Sequence, residues 1–91
     1  MIVLSSVRAT AAVVGTRTPD QMLTEMVRNV EAEGAVVVES SATRREESGD
    51  IDLHIRWSWE GEVLSNAALT AVGQAMWHTA NTDADGILIE G

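Results

Sequence analysis

Residues 51–59 read IDLHIRWSW, and their alternating pattern is the starting point for the fold prediction. Every second residue in it is large and apolar: Ile51, Leu53, Ile55, Trp57 and Trp59. The residues between them are polar: Asp52, His54, Arg56 and Ser58. A period of two predicts a β-strand with one face toward a core and the other toward water. A strand of this kind is expected inside an antiparallel sheet that is covered on one face only.

A strand and a helix are predicted near the N-terminus. Apolar residues fall mostly on odd positions between residues 3 and 13, so we predict a first strand over Val3–Val14, ended by Gly15. TPDQ (18–21) fits a capping box with Pro19 at the first helical position. Apolar residues follow at helical spacing, which predicts a helix that ends at Gly34.

The segment before residue 51 is predicted to form a second strand and a hairpin connection. AVVVESSAT (35–43) is rich in β-branched residues, and we expect this strand to turn Val36 and Val38 inward. RREESGD (44–50) contains Ser48-Gly49, a suitable turn into the strand at 51–59.

A second helix and a last strand are predicted after EGEV (60–63), which ends the third strand. The helix runs from about Ser65 to Thr79, and four residues at helical spacing form its expected inner stripe: Ser65, Leu69, Val72 and Met76. NTDADG (81–86) predicts a turn, and ILIE (87–90) predicts a short strand.

The element order is therefore βαββαβ, in one α+β domain that spans residues 1–91. This order is typical of the ferredoxin-like fold, in which two helices pack on one face of a four-stranded antiparallel sheet. The first and third strands are expected in the middle of that sheet. A fold of this kind hosts many functions, so it predicts none by itself.

Composition and charge exclude several kinds of site. The chain of 91 residues has no cysteine and a net charge of −8, and all six of its cationic residues are arginine. Disulfides, thiol nucleophiles and cysteine-based zinc sites are thus excluded. The acidic balance opposes direct binding to nucleic acid or to an anionic membrane. No segment approaches the ~20 apolar residues of a membrane span, and the N-terminus lacks the basic start of a signal peptide, so we expect a cytoplasmic protein.

The polar face of the predicted sheet is the first candidate site. Its candidate residues are Arg8 and Thr10 of the first strand with Asp52, His54, Arg56 and Ser58 of the third. Such a face is either simply solvated or a docking surface for a protein partner or a second copy of the chain. Catalysis is not expected, because Asp52 lies about 7 Å from His54 along the strand and no oxyanion donors are evident.

Two further sets of residues are candidate sites. Trp57, Trp59 and Trp77 either fill the core or line a pocket for an apolar ligand. Small residues at four-residue intervals, Ala67, Ala71 and Ala75, either favour the helix or admit a partner helix.

The acidic turn near the C-terminus gives a candidate calcium site. Asn81, Asp83 and Asp85 match the first half of an EF-hand loop. The bidentate glutamate at position twelve is missing, since Glu90 falls at position ten, and an ordinary acidic turn is the better interpretation. No cofactor is predicted.

Three functional hypotheses follow. The first is a non-enzymatic protein that acts by protein–protein contact or self-association, through the polar sheet face and the acidic C-terminal half. The second is an acidic inhibitor that imitates nucleic acid toward a nucleic-acid-handling machine. The third is a small dimeric α+β-barrel enzyme or ligand binder with a tryptophan-lined cavity. Whether the protein is an enzyme stays open, with a binding role favoured.

Overall fold

The computed structural model describes residues 2–59, 65–82 and 87–88, and this part of the chain has α+β architecture, as predicted. The elements in chain order are β1 (Ile2–Ala9), α1 (Ala11–Val14), α2 (Pro19–Ala32), β2 (Ala35–Arg44), β3 (Ile51–Trp59) and α3 (Asn66–Ala80). The two long helices, α2 and α3, contact each other and pack on one face of the sheet. None of the helices described here is long and apolar enough to cross a membrane.

The sheet has three antiparallel strands in the order β1-β3-β2. The expected four-stranded ferredoxin-like sheet is therefore wrong for the described residues, and β1 is an edge strand instead of a central one. Leu88, from the strand predicted at 87–90, forms an isolated bridge with Thr82. The chain after α3 thus pairs locally and does not extend the sheet at this point. Residues 60–63, 83–86 and 89–90 of the predicted connections and last strand lie outside the described residues.

The first strand is shorter than predicted because the chain turns into a short helix after Ala9. Thr10 is the N-cap of α1, and Gly15 ends α1 with a positive φ of 57°. The consecutive residues Val13 and Val14 are both buried. A strand would turn one of two neighbouring side chains to the other face, whereas this helical turn directs both into the core.

The helix α2 begins and ends close to where the sequence predicts. Thr18 and Gln21 form the reciprocal capping box, with Pro19 at the first helical position. Met22, Met26 and Val30 are buried at helical spacing. Gly34 follows with φ of 100°, and a Cβ added there would lie 3.3 Å from the Trp59 ring. Glycine is therefore favoured both by the backbone conformation and by the tryptophan that packs on it.

A β-bulge in β2 overturns the prediction that Val36 and Val38 point inward. Val37 lies opposite Trp57, but the next residue of β3, Arg56, lies opposite Glu39. Val38 is the extra residue between these two pairs, so inward positions are odd before it and even after it. Val36 and Val38 are consequently exposed, at 38% and 54%.

The helix α3 confirms half of its predicted inner stripe. Val72 and Met76 are buried against the sheet. Ser65 instead caps the helix, accepting a hydrogen bond from the backbone N–H of Ala68, and Leu69 is 40% exposed. The other buried positions of the helix are Ala68, Thr79 and Ala80.

A buried arginine ties three parts of the chain together. The guanidinium of Arg17 donates to Glu25 Oε2 on α2 at 2.7 Å and to the Val13 carbonyl of α1 at 2.6 Å. It also donates to the carbonyl of Thr82, after α3, at 2.7 Å. Arg17 is only 8% exposed, so its charge is stabilised by these acceptors and not by water.

Candidate functional site

The face of the sheet opposite α2 and α3 is the candidate site, and we call it the open face. Because antiparallel partners point to the same side, the register defines four rows that cross β1, β3 and β2 in that order. The rows are Ile2–Ser58–Val36, Leu4–Arg56–Glu39, Ser6–His54–Ser41 and Arg8–Asp52–Thr43. The alternate residues of β3 point to the other side and are buried there, apart from the half-buried Trp59. The polar face of 51–59 thus meets solvent together with one face of each edge strand.

The polar end of the open face is fixed by two ion pairs that share one carboxylate. Arg8 Nε donates to Asp52 Oδ1 at 2.8 Å, and Arg45 Nε donates to Asp52 Oδ2 at 2.8 Å. The hydrogen bond from Arg8 is the main cause that lowers the pKa of Asp52 below its ordinary value of 3.8, with Arg45 adding to it. The same bond raises the pKa of Arg8. This carboxylate therefore stays ionised and holds both arginines in place.

The centre of the open face holds a serine–histidine pair. Ser6 Oγ lies 2.7 Å from Nδ1 of His54, its direct cross-strand neighbour. The side chain of Asp52 is bonded to Arg8 and Arg45, and the side-chain partner of His54 is Ser6. The backbone of β3 pairs with strands on both sides, so its N–H groups are not available to stabilise an oxyanion. The pair is suited to hydrogen bonding with a partner and lacks the other parts of a hydrolytic site.

The other end of the open face is apolar. Leu4 is 74% exposed and Ile2 is 48% exposed. They lie beside Arg56, which donates to Glu39 Oε2 across the sheet at 2.9 Å. A shallow groove of about 160 Å³ lies beside Leu4 and the Arg56–Glu39 ion pair. Its lining comes from all three strands: Leu4, Glu39, Ser40, Ser41, His54, Ile55 and Arg56.

The open face differs in charge from the rest of the molecule. Its cations are Arg8, Arg45 and Arg56 and its anions are Glu39 and Asp52, which gives +1. The whole chain carries −8, so the remaining residues carry −9. The open face is thus a near-neutral surface on a strongly acidic protein.

Most of the predicted surface residues are brought together. Arg8, Asp52, His54 and Arg56 share the open face with Ser58. Thr10 is not part of it, because the residue caps α1 beyond the end of β1. Ser6 also lies on this face, where it pairs with His54. Only the β1–β3 register could have indicated this pairing.

The three tryptophans occupy different environments. Trp57 is 1% exposed and donates from Nε1 to Ser5 Oγ at 3.0 Å, while its ring meets that of Trp59 edge to face at 6.5 Å. Trp77, on α3, is 50% exposed. Trp57 and Trp59 therefore pack together beneath the sheet, whereas Trp77 presents an apolar ring to solvent.

The remaining predicted features lie on or beyond α3. Ala71 and Ala75 line a groove of about 420 Å³ with Asn29 and Ala32 of α2 and with Glu33 at its C-cap, so they face the neighbouring helix of the same chain. Asn81 follows α3 and donates to the Trp77 carbonyl. Asp83 and Asp85 lie outside the described residues. Among the described residues, no group of three or more histidine, aspartate or glutamate residues is arranged to hold a metal ion.

Comparison with protein-family models, curated proteins and solved structures finds no match to this chain. The functional argument therefore depends on the residues and their arrangement alone.

Proposed function

We propose that this protein works by binding another protein through its open face. The observation that carries the proposal is the combination on one uncovered sheet face of exposed apolar side chains with polar side chains held in ion pairs. Interfaces between proteins combine buried apolar contacts with about ten direct hydrogen bonds. Leu4, with Ile2 and Val36 beside it, supplies the apolar part.

The ion pairs make this face favourable for binding because they limit the freedom of its long side chains. An immobilised, rotamer-rich side chain costs ~0.5–1.5 kcal/mol on association. Arg8 and Arg45 are already held by Asp52, and Arg56 is held by Glu39. Part of this loss of side-chain freedom has therefore already occurred in the free protein. The bonded arginines also keep further N–H donors that a partner can use.

The charge of the face indicates the chemistry of the partner. A strongly basic partner would be drawn to the acidic remainder of the chain, which carries −9, and away from a face of +1. A partner for the open face is expected to be a folded protein with an apolar patch and scattered carboxylate or carbonyl acceptors. The nucleic-acid-mimic hypothesis gains no support from this face.

The test is affinity capture with the full chain, comparing Arg56→Glu with Arg28→Glu. Both variants make the same change of charge, but Arg56 is on the open face and Arg28 is exposed on α2. We expect proteins retained by the wild-type chain and by Arg28→Glu to be reduced at least tenfold on Arg56→Glu. Thermal melting of each variant checks that the fold is kept. Equal retention by all three chains would overturn the proposal.

A further inference from the structure

The two edges of the sheet are protected to different degrees. β2 carries the bulge at Val38 and the charged residues Glu39 and Arg44, features that discourage pairing with another strand. β1 has a continuous register from Ile2 to Ala9, no proline, and one charged residue. Within the described part of the chain, β3 is the only strand beside β1. An edge of this kind is a template for strand addition.

The helix above β1 is also uncharged and partly apolar on its outer side. Ala71, Gln74 and His78 of α3 line the groove toward α2. Leu69, Gly73 and Trp77 lie on the other side of the helix at four-residue spacing, away from α2. Leu69 is 40% and Trp77 50% exposed, and a Cβ at Gly73 would meet nothing within 4 Å. Exposed apolar groups are thus found both in β1 and in the helix that packs over it.

Charge identifies what can cover this side of the molecule. β1 and α3 comprise 8 and 15 residues and contain one aspartate, glutamate, lysine or arginine, which is Arg8. At the chain average of 22%, about five would be expected. The corresponding pair on the other side, β2 and α2, contains six: Asp20, Glu25, Arg28, Glu31, Glu39 and Arg44. Two copies of a chain with charge −8 repel each other least when they meet through β1 and α3.

We infer that β1 pairs antiparallel with β1 of a second copy of this chain, which joins the two sheets into one of six strands. The antiparallel direction follows from Arg8, the one charged residue of the strand. A parallel pair would place the two Arg8 side chains together, whereas an antiparallel pair centred on Ser5 separates them by six residues, or ~20 Å. In that arrangement Leu4 of each copy lies near the two-fold axis, and α3 of each copy lies beside its symmetry mate.

The area is sufficient for a specific but modest dimer. A strand of eight residues is ~26 Å long, and a sheet with a helix layer above it is ~20 Å high, which gives ~500 Å² on each copy. The total of ~1,000 Å² is at the lower limit for a specific interface. The pairing also brings two open faces side by side and places Leu4 of both copies near the middle of the seam, with each Ile2 at one of its ends. It does not require the partner proposed for the open face.

The experiment measures solution mass by light scattering over a concentration range for wild type, Leu4→Lys and Val38→Lys. Leu4 and Val38 are 74% and 54% exposed, so each lysine is accommodated in the folded monomer, and they lie on opposite edges of the sheet. We expect wild type and Val38→Lys to reach twice the 9.8 kDa of the chain, and Leu4→Lys to dimerise at least tenfold more weakly. A wild type that stays monomeric near 1 mM, or an equal effect of the two lysines, would overturn the inference.

A second measurement keeps the inference testable if Leu4→Lys fails to fold. The chain has no cysteine, so Leu4→Cys and Val38→Cys are single-cysteine proteins. A bismaleimide that spans ~8 Å is expected to join two Leu4→Cys chains. It should not join two Val38→Cys chains, because β2 and its symmetry mate are five strand spacings apart, or ~24 Å. Cross-linking of Val38→Cys alone, or of both to the same extent, would contradict the β1 pairing.

Discussion

Replacement of Arg17 by alanine is expected to destabilise the protein more than any surface substitution. The side chain is 9% exposed and donates to Glu25, to the Val13 carbonyl and to the Thr82 carbonyl at 2.6–2.7 Å. Its removal leaves two backbone acceptors without their donor and a carboxylate without its cation. Removing one partner of a buried ion pair costs ~3–5 kcal/mol. Glu25 is 35% exposed and regains water, so we expect the lower end, about 3 kcal/mol.

The assay is urea unfolding followed by tryptophan emission, which reports on the buried Trp57. A loss of 3 kcal/mol corresponds to a fall in melting temperature of ~12–24 °C for a domain of this size. Arg28→Ala is the matched control, because it removes an exposed arginine from the adjacent helix α2 and should cost less than ~0.5 kcal/mol. Arg17→Lys is expected to lie between the two, since one ammonium cannot reproduce the arginine fork.

Two results would refute this reasoning. One is an Arg17→Ala variant within ~1 kcal/mol of wild type, which would mean that the three acceptors are satisfied without the guanidinium. The other is an equal loss for Arg28→Ala, which would mean that overall charge, and not the hydrogen bonds, determines stability.

The remaining predictions concern the fold around the sheet. Gly34→Ala should lower the free energy of unfolding by ~1–2 kcal/mol in the same urea assay, because its φ of 100° is strained for alanine and the new methyl group meets Trp59. Deletion of Val38 should change the free energy of unfolding by less than ~1 kcal/mol, because it makes the β2–β3 ladder continuous, whereas deletion of Ser41 should cost more, because the residues after it keep their faces only if the bulge is lost and Glu39 turns inward. The lowered pKa of Asp52 contributes stability that is present above pH 3.8 and lost as pH falls through the folded-state pKa, so the melting-temperature advantage of wild type over Asp52→Asn should shrink below pH 3.8. An advantage that stays constant down to pH 2 would contradict that assignment.

Local patterns in the sequence were enough for the central strand and for α2. The alternation in IDLHIRWSW has one consistent interpretation over nine residues, and β3 occupies those residues. The capping box at Thr18 fixed the start of α2 because its two hydrogen bonds are made within four residues. Features that depend on neighbours in sequence were therefore predictable.

Features that depend on residues distant in the sequence were not predictable. The helix α1 has four residues, too few to be stable by propensity, and it forms because Val13 and Val14 both reach the core. In β2 the inward residues are odd-numbered before the bulge at Val38 and even-numbered after it. This change becomes evident only from the pairing with β3. The fourth strand was predicted from a short apolar run at 87–90, but whether such a run joins a sheet depends on an edge far away in sequence.

The candidate site was predictable in part for the same reason. Asp52, His54 and Arg56 follow from alternation within one strand. The pairing of His54 with Ser6 and the sharing of Asp52 between Arg8 and Arg45 depend on register across the sheet. The burial of Arg17 was not predictable, because Arg17 lies between two predicted elements, where buried residues follow no periodic pattern.

We propose above that this protein acts through its open face. The most direct test places a photo-cross-linking amino acid at Ser6 on the open face, or at Thr24, exposed on α2, in cells that naturally make the protein. We expect discrete cross-linked products from position 6 that are absent from position 24, and their masses identify the partner or a second copy. Products from position 24 alone, or the same products from both positions, would contradict it.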